Sequence, residues 1–280
     1  MSLKAGLLFV TLLVGSHAIP APQRDMSFFF DQSENSRIVG GSTAAHTPYM
    51  IAMVTGVTIS NLICGGSLVT SRHIMTAAHC NLAVTNQDGS LLNSLRVTIG
   101  SNRWDRGGST YRIARSIVHP NYNHNQIKND IGFLVTTANV VLSNTVGLVP
   151  LNFDFVGGGI PTRVTGWGRT RVGGSLSSTL RQLVATVVDG NECRTRVAQR
   201  AQELNYQNFP VVDPNLEICI FNANGRGTCN RDSGGPLMRT DRNQQIGIVS
   251  WGLPCARNAP DMFVRISAYR SFIEQSIRIL

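Results

Sequence analysis

Between residues 38 and about 264 the chain is broken into short apolar runs, each bounded by Gly, Asn, Ser or Pro. Residues 67–69, 95–99, 131–135, 163–165 and 246–250 are examples. Short strands with frequent turn signals predict an all-β barrel or sandwich. Residues 157–159 (Gly-Gly-Gly) and 172–175 (Val-Gly-Gly-Ser) read as exposed turns. Two helices are expected beside the strands. One spans about 191–203, directly after the turn residues Asp189 and Gly190. The other is residues 267–280, where Tyr269, Phe272, Ile273 and Ile277 recur near helical spacing. The chain shows no internal repeat and no low-complexity segment.

At 280 residues, 15% of them charged, the chain is long enough to bury a core in one domain or two small ones. A formal net charge of +9 raises the question of an acidic partner. The basic residues are scattered, however, and the nearest approach to a cluster, Arg194, Arg196 and Arg200, reads as a solvated helix face. No zinc-finger spacing, RNA-binding aromatic motif or Lys/Arg run is present, so no nucleic-acid partner is expected. Lys4, an apolar run over residues 7–14 and the small residues Ser16 and Ala18 form a signal-peptide pattern over residues 1–18. The run is too short to span a bilayer, and no later stretch is long enough, so no membrane association is expected. Six cysteines in an exported chain point to disulfides, and sequence alone leaves 15 pairings open.

Three local clusters carry chemistry. In Thr76-Ala77-Ala78-His79-Cys80, a histidine sits among small residues with a cysteine directly behind it, so a disulfide there would pin the imidazole. In Asn129-Asp130-Ile131-Gly132, a carboxylate heads an apolar strand, and burying it is costly unless it is paired. It is either a turn residue or the group that orients an imidazole. In Asp232-Ser233-Gly234-Gly235-Pro236, glycines flank a serine and permit the tight turn that exposes a hydroxyl beside backbone N–H groups. The order His, Asp, Ser matches the chymotrypsin arrangement and neither the subtilisin nor the α/β-hydrolase order.

From Ile38 onward the chain resembles the chymotrypsin-fold, trypsin-like serine peptidases. The matching pieces are IVGG at Ile38, CGGSL at Cys64, TAAHC around His79, HPNYN at His119, NDI at Asp130, GWG at Gly166, DSGGPL at Asp232 and SWG at Ser250. Within that family, TCN before the serine loop and PDMF at Pro260 are most similar to arthropod digestive peptidases of the brachyurin, collagenolytic type. The resemblance implies two six-stranded antiparallel β-barrels with the active site between them, over roughly residues 38–150 and 151–265, then a C-terminal α-helix. It implies a propeptide over residues 19–37, removed by a cut after Arg37. The new Ile38 α-ammonium would then bury against Asp232. Ser233 is implied as nucleophile, His79 as general base and then general acid, and Asp130 as the group that fixes the imidazole. The backbone N–H groups of Arg231 and Ser233 would form the oxyanion hole. Ser250, Trp251 and Gly252 would be the strand edge that pairs with extended substrate. The family pairing of cysteines is Cys64–Cys80, Cys193–Cys219 and Cys229–Cys255.

Two positions depart from the family pattern. Arg231 stands where glycine is usual. It is either tolerated drift, since the hole needs only its N–H, or a long cation over the leaving-group side that obstructs protein inhibitors or favours acidic residues after the scissile bond. A positive φ there would cost roughly 1–2 kcal/mol. The resemblance places Gly227 at the base of the primary specificity pocket, with the carboxylate displaced to Asp261 on the pocket wall. The displaced acid predicts mixed specificity for basic and apolar residues; the alternative is a solvent-turned Asp261 and a purely apolar slot. No metal is expected, because the loop over residues 101–115 offers one carboxylate, Asp105. No cofactor motif is present. The expected partners are polypeptide substrates, an activating trypsin-like protease and protein inhibitors, around a monomeric enzyme in an extracellular, digestive setting such as a gut lumen. The rival reading is an inactive homologue serving as a secreted binding or regulatory protein.

Overall fold

The computed structural model describes residues 41–168, 175–222, 227–228, 231–253 and 258–280. Expectations that fall on the signal and propeptide segments, on Ile38, on residues 172–174 and on Cys229 and Cys255 lie outside the described residues.

Among the described residues the short apolar runs become thirteen strands, all antiparallel to their neighbours in the sheets. β1 (Ser42–Thr43) pairs with β9 (Arg181–Val188). The first barrel closes in the order β2 (Met50–Thr55), β3 (Asn61–Leu68), β4 (His73–Thr76), β7 (Gly132–Thr136), β6 (Ser109–Val118) and β5 (Arg96–Ile99). The second closes as β8 (Pro161–Gly166), β9 (Arg181–Val188), β10 (Glu217–Phe221), β13 (Asp261–Arg265), β12 (Gln244–Gly252) and β11 (Pro236–Arg239), which returns to β8.

β2 shows how one barrel meets the other. All six of its residues are buried, although a strand on a barrel wall has an inner and an outer face. Ile51 and Met53 point into the first barrel with Leu68, Ile74 and Phe133. Met50, Ala52 and Val54 join Trp167 and Leu180 from the second barrel's side of the molecule. The outer face is thus covered by the neighbouring barrel rather than by water. Polar groups at this junction are matched: Ser67 Oγ donates to Gln245 Oε1 at 2.8 Å, and the fully buried Gln245 donates onward from Nε2 to Gly247 O at 3.0 Å.

Helix α1 (Ala78–Leu82) is a short turn carrying His79. Helix α2 (Gly190–Glu203) starts where expected because the Asp189 side chain caps it, accepting from the N–H groups of Asn191 and Glu192. Its exposed basic face is partly neutralised by Arg196–Glu192 and Arg200–Glu203 pairs. The C-terminal helix is shorter than expected. A 3₁₀ turn (Ile266–Tyr269) precedes α3 (Arg270–Ser276), and the final residues close with i→i−3 bonds from Arg278 N and Ile279 N. The reason is packing: at three residues per turn Ile266 and Tyr269 eclipse, and both bury into the first barrel's core with Ile273. Among the described residues, no helix is long and apolar enough to cross a membrane.

Candidate active site

His79 and Asp130, 51 residues apart in sequence, meet on the first barrel where α1 follows β4 and the chain enters β7. The Asp130 carboxylate is buried and takes three donors. His79 Nδ1 donates to Oδ2 at 2.8 Å, the His79 backbone N–H to Oδ1 at 2.9 Å, and Ser250 Oγ to Oδ2 at 2.6 Å. Burial pushes the Asp130 carboxyl up. The His79 charge and these hydrogen bonds outweigh it and hold the group below the usual carboxylate value. The acid therefore fixes the imidazole with its proton on Nδ1 and leaves Nε2 as the unprotonated nitrogen, beside Cys80 Sγ at 3.6 Å.

Ser233 lies just before β11 on the second barrel, 8% exposed. Its carbonyl accepts from Gly65 N of the first barrel at 2.8 Å, while Gly234 N donates to Val249 O at 2.8 Å. Gly234 has φ +79°, and a Cβ there would lie 2.1 Å from Thr76 Oγ1 and 2.5 Å from Gly65 O, so only glycine fits. Two short covalent-plus-hydrogen-bond paths then join the serine loop to the imidazole. One runs from Ser233 through Gly65 and Cys64, across the Cys64–Cys80 disulfide, to His79. The other runs from Gly234 through Val249 and Ser250 to Asp130 and His79. The serine loop is thus tied across the seam between the barrels to the His79–Asp130 pair.

Asp232 is fully buried and accepts from Gly168 N at 2.9 Å through Oδ1. A Cβ on Gly166 would lie 2.0 Å from the same oxygen, so GWG leaves room for the carboxylate. Arg231 has φ +75°, the left-handed conformation that glycine would adopt without strain, and its Nη1 reaches Ile63 O at 3.4 Å.

Gly227, Gly252 and Asp261 also come together. Asp261 opposes Gly252 across the β12–β13 pair, and its Oδ2 accepts from Thr228 N at 2.7 Å. The alternative of a solvent-turned Asp261 is overturned: the residue is 6% exposed, held inward by the Thr228 amide. Burial pushes its carboxyl up to about 7, against the pull of the Thr228 hydrogen bonds.

Disulfides Cys64–Cys80 and Cys193–Cys219 form with Cα–Cα distances of 6.1 and 6.3 Å. Cys64, Cys80 and His79 place possible metal-ligand atoms close together, but the two sulfurs are bonded to each other and offer no thiolate. The Asp105 carboxylate is engaged by Arg103 through both oxygens. Of the remaining histidines, His73 is buried between Thr70 and Ile279 O, and His46 bonds Thr145 O, both structural contacts.

Sequence reasoning missed three contributions. Ser250 was read as a substrate edge, yet its hydroxyl also supports Asp130. Gly65 N holds the serine loop, and nothing in its local sequence signals that. Glu217, an acid inside the apolar run Glu-Ile-Cys-Ile-Phe, is buried against Lys128 and Trp251, and the rule that drew attention to Asp130 could have found it.

The Trypsin family profile matches residues 38–273. Trypsin of Sus scrofa is 30% identical over 256 residues, covering 89% of this chain and 99% of the relative. Chymotrypsin-2 of Vespa crabro is 31% identical over 242 residues, covering 85% and 99%. The alkaline trypsin B of Manduca sexta is 32% identical over 249 residues, covering 86% and 91%. With two closed six-stranded barrels and this breadth of similarity, the chain belongs to the trypsin family and is a trypsin-like serine endopeptidase.

Proposed function

We propose that the protein is a secreted zymogen, activated by a cut after Arg37, that hydrolyses peptide bonds through an acyl-enzyme on Ser233 with mixed basic and apolar primary specificity. The observation that carries this reading is the closed set of contacts joining the Ser233 loop, the Cys64–Cys80 bridge, His79, Asp130 and Ser250 across the barrel seam.

Ser233 Oγ attacks the scissile carbonyl carbon while His79 Nε2 takes its proton. Asp130 holds Nδ1 and stabilises the imidazolium. The tetrahedral oxyanion receives hydrogen bonds from the N–H groups of Arg231 and Ser233, which the left-handed conformation at Arg231 helps to aim. The C–N bond breaks, and the leaving amine takes the proton from His79. A water then gives its proton to His79 and its oxygen to the acyl carbon, and the ester bond to Ser233 breaks as the hydroxyl regains a proton. The backbone of Ser250–Gly252, past the end of the β11 pairing at Ile248, pairs with extended substrate.

Activation follows from charge. A new α-ammonium at Ile38 supplies a buried cation for Asp232, and the family match beginning at residue 38 supports that boundary. Specificity follows from Asp261: an inward carboxylate attracts Lys or Arg when ionised and leaves an apolar slot when protonated. At Arg231 the Ile63 contact favours the projecting cation over simple drift, because the side chain crosses to the first barrel instead of turning to bulk solvent.

A peptidyl organophosphonate tests the whole reading. The Arg37-cleaved protein acquires one adduct on Ser233, and an uncleaved Arg37→Gln chain acquires none. Equal labelling of the two forms removes the activation step; labelling elsewhere than Ser233 removes the mechanism.

A further inference from the structure

Lys128 and Glu217 form a buried ion pair between the barrels that the reaction itself does not use. Lys128 sits two residues before Asp130, in a small hairpin closed by mutual backbone bonds between Asn123 and Lys128. Its Nζ lies 2.9 Å from Glu217 Oε2 on β10 of the second barrel, with the two side chains 15% and 5% exposed. The other Glu217 oxygen, Oε1, accepts from Trp251 Nε1 at 2.6 Å, and Oε2 also accepts from Asp213 N at 2.7 Å. Lys128 Nζ stands 5.6 Å from the centroid of the Trp251 ring. One carboxylate thus collects a cation from the hairpin that presents Asp130 and the indole N–H from the proposed substrate edge.

The backbone around Lys128 is unusual. Ile127 has φ +49° and Asn129 φ +56°, and a β-branched residue in the left-handed region persists only where its surroundings hold it. Ile127 is held by burial in the same apolar cluster as Trp251, Leu253 and Met262. Asn129 is held by its Nδ2, which donates to Asn121 O at 2.8 Å, and by Tyr269 Oη, which donates to its Oδ1 at 3.1 Å. The Lys128–Glu217 pair is the ionic member of this set and the one that reaches the indole. Burial pushes the Glu217 carboxyl up, opposed by the Lys128 charge and by the Asp213 and Trp251 donors, so the group depends on all three partners.

We propose that Lys128 and Glu217 are positioning residues that fix the orientation of Trp251 and so set how much the enzyme gains from an extended substrate over a single-residue one. The proposal rests on the reading of Ser250–Gly252 as the substrate edge. Neither side chain touches the reacting atoms. They act through the buried indole, which anchors the Ser250–Gly252 backbone that would pair with the substrate chain, and binding energy from such remote contacts is used at the reacting centre.

The test compares the Arg37-cleaved wild type with Glu217→Gln and with the double variant Lys128→Met/Glu217→Met. The substrates are a single-residue amide and a four-residue peptide amide ending in the same residue. The double variant removes both charges together, so it avoids stranding one of them and is expected to fold. Expected is a loss of roughly tenfold in kcat/KM on the tetrapeptide in both variants, with the single-residue amide changed less than about twofold. Equal losses on both substrates, together with a lowered Tm, mean a merely structural pair and overturn the proposal. So does a double variant that keeps the wild-type gain from chain extension. A wild type that gains nothing from extension overturns the substrate-edge reading itself, a result distinguishable from the other two.

Discussion

Asp261 gives the sharpest prediction, because its geometry sets both a charge and the pH at which that charge appears. The carboxylate is enclosed, with the Thr228 amide as its hydrogen-bond donor, and burial moves its titration from 3.8 to about 7. A group titrating near 7 is ionised to roughly one-tenth at pH 6 and nine-tenths at pH 8. A basic side chain in the primary pocket gains from the ionised form, while an aromatic one gains from the neutral form or is indifferent. The ratio of kcat/KM for an Arg substrate to that for a matched Phe substrate should therefore rise about tenfold between pH 6 and pH 8. The imidazole step is common to both substrates and cancels in the ratio. Asp261→Asn keeps an acceptor for the Thr228 amide and removes the titration, so its ratio should be flat and low. Stability gives a second reading. Because the folded value is raised, the contribution of this group is fully present below pH 3.8 and is lost as pH climbs through about 7. The loss has an upper limit of about 4 kcal/mol, so Asp261→Asn should be the more thermostable protein at pH 8 and indistinguishable from wild type at about pH 3. A wild-type ratio independent of pH, or a rise that persists in Asp261→Asn, would refute the assignment of this carboxylate to the pocket.

Two further predictions rest on other parts of the site. Arg231→Gly relieves a left-handed arginine and should raise stability by roughly 1–2 kcal/mol in denaturant unfolding; it should also tighten binding of a protein inhibitor, and an unchanged inhibition constant would show that the Ile63 contact obstructs nothing. Replacing Cys64 and Cys80 together by alanine opens the bridge, whose ends are 16 residues apart. That change should cost about 3 kcal/mol and lower kcat more than KM, and a fully active double variant would show that the bridge does not position His79.

The apolar pattern of this chain was readable because it is local: a run of three to six residues between turn formers becomes a strand wherever it lands. Where period gave no answer, the reading went astray. Tyr269, Phe272, Ile273 and Ile277 fit a helical repeat but mark neither end of it: the first turn is 3₁₀ and the last residues close by i→i−3 bonds, so the C-terminal helix was drawn too long. The polar groups divide in the same way. His79 and Ser233 stood out because each sits among small residues, and Asp130 because it heads an apolar strand. Arg231 was legible as an oddity, and its φ turned the oddity into a specific strain. Ser250 and Gly65 were opaque because their meaning lies wholly in partners far along the chain, and Glu217, an acid in an apolar run, could be noticed but not paired. Ser250 meets Asp130 at a separation of 120 residues, and Glu217 meets Lys128 at 89. Asp261 lies between these cases: its presence in the pocket was expected, but its inward turn is decided by the amide of Thr228, 33 residues away. A strand can be recognised from its own alternation, whereas a buried polar atom is tolerated only through the partner that satisfies it. In a two-barrel protein those partners sit on opposite sides of the seam, so the contacts that tune this site are the ones that leave the least trace in local sequence.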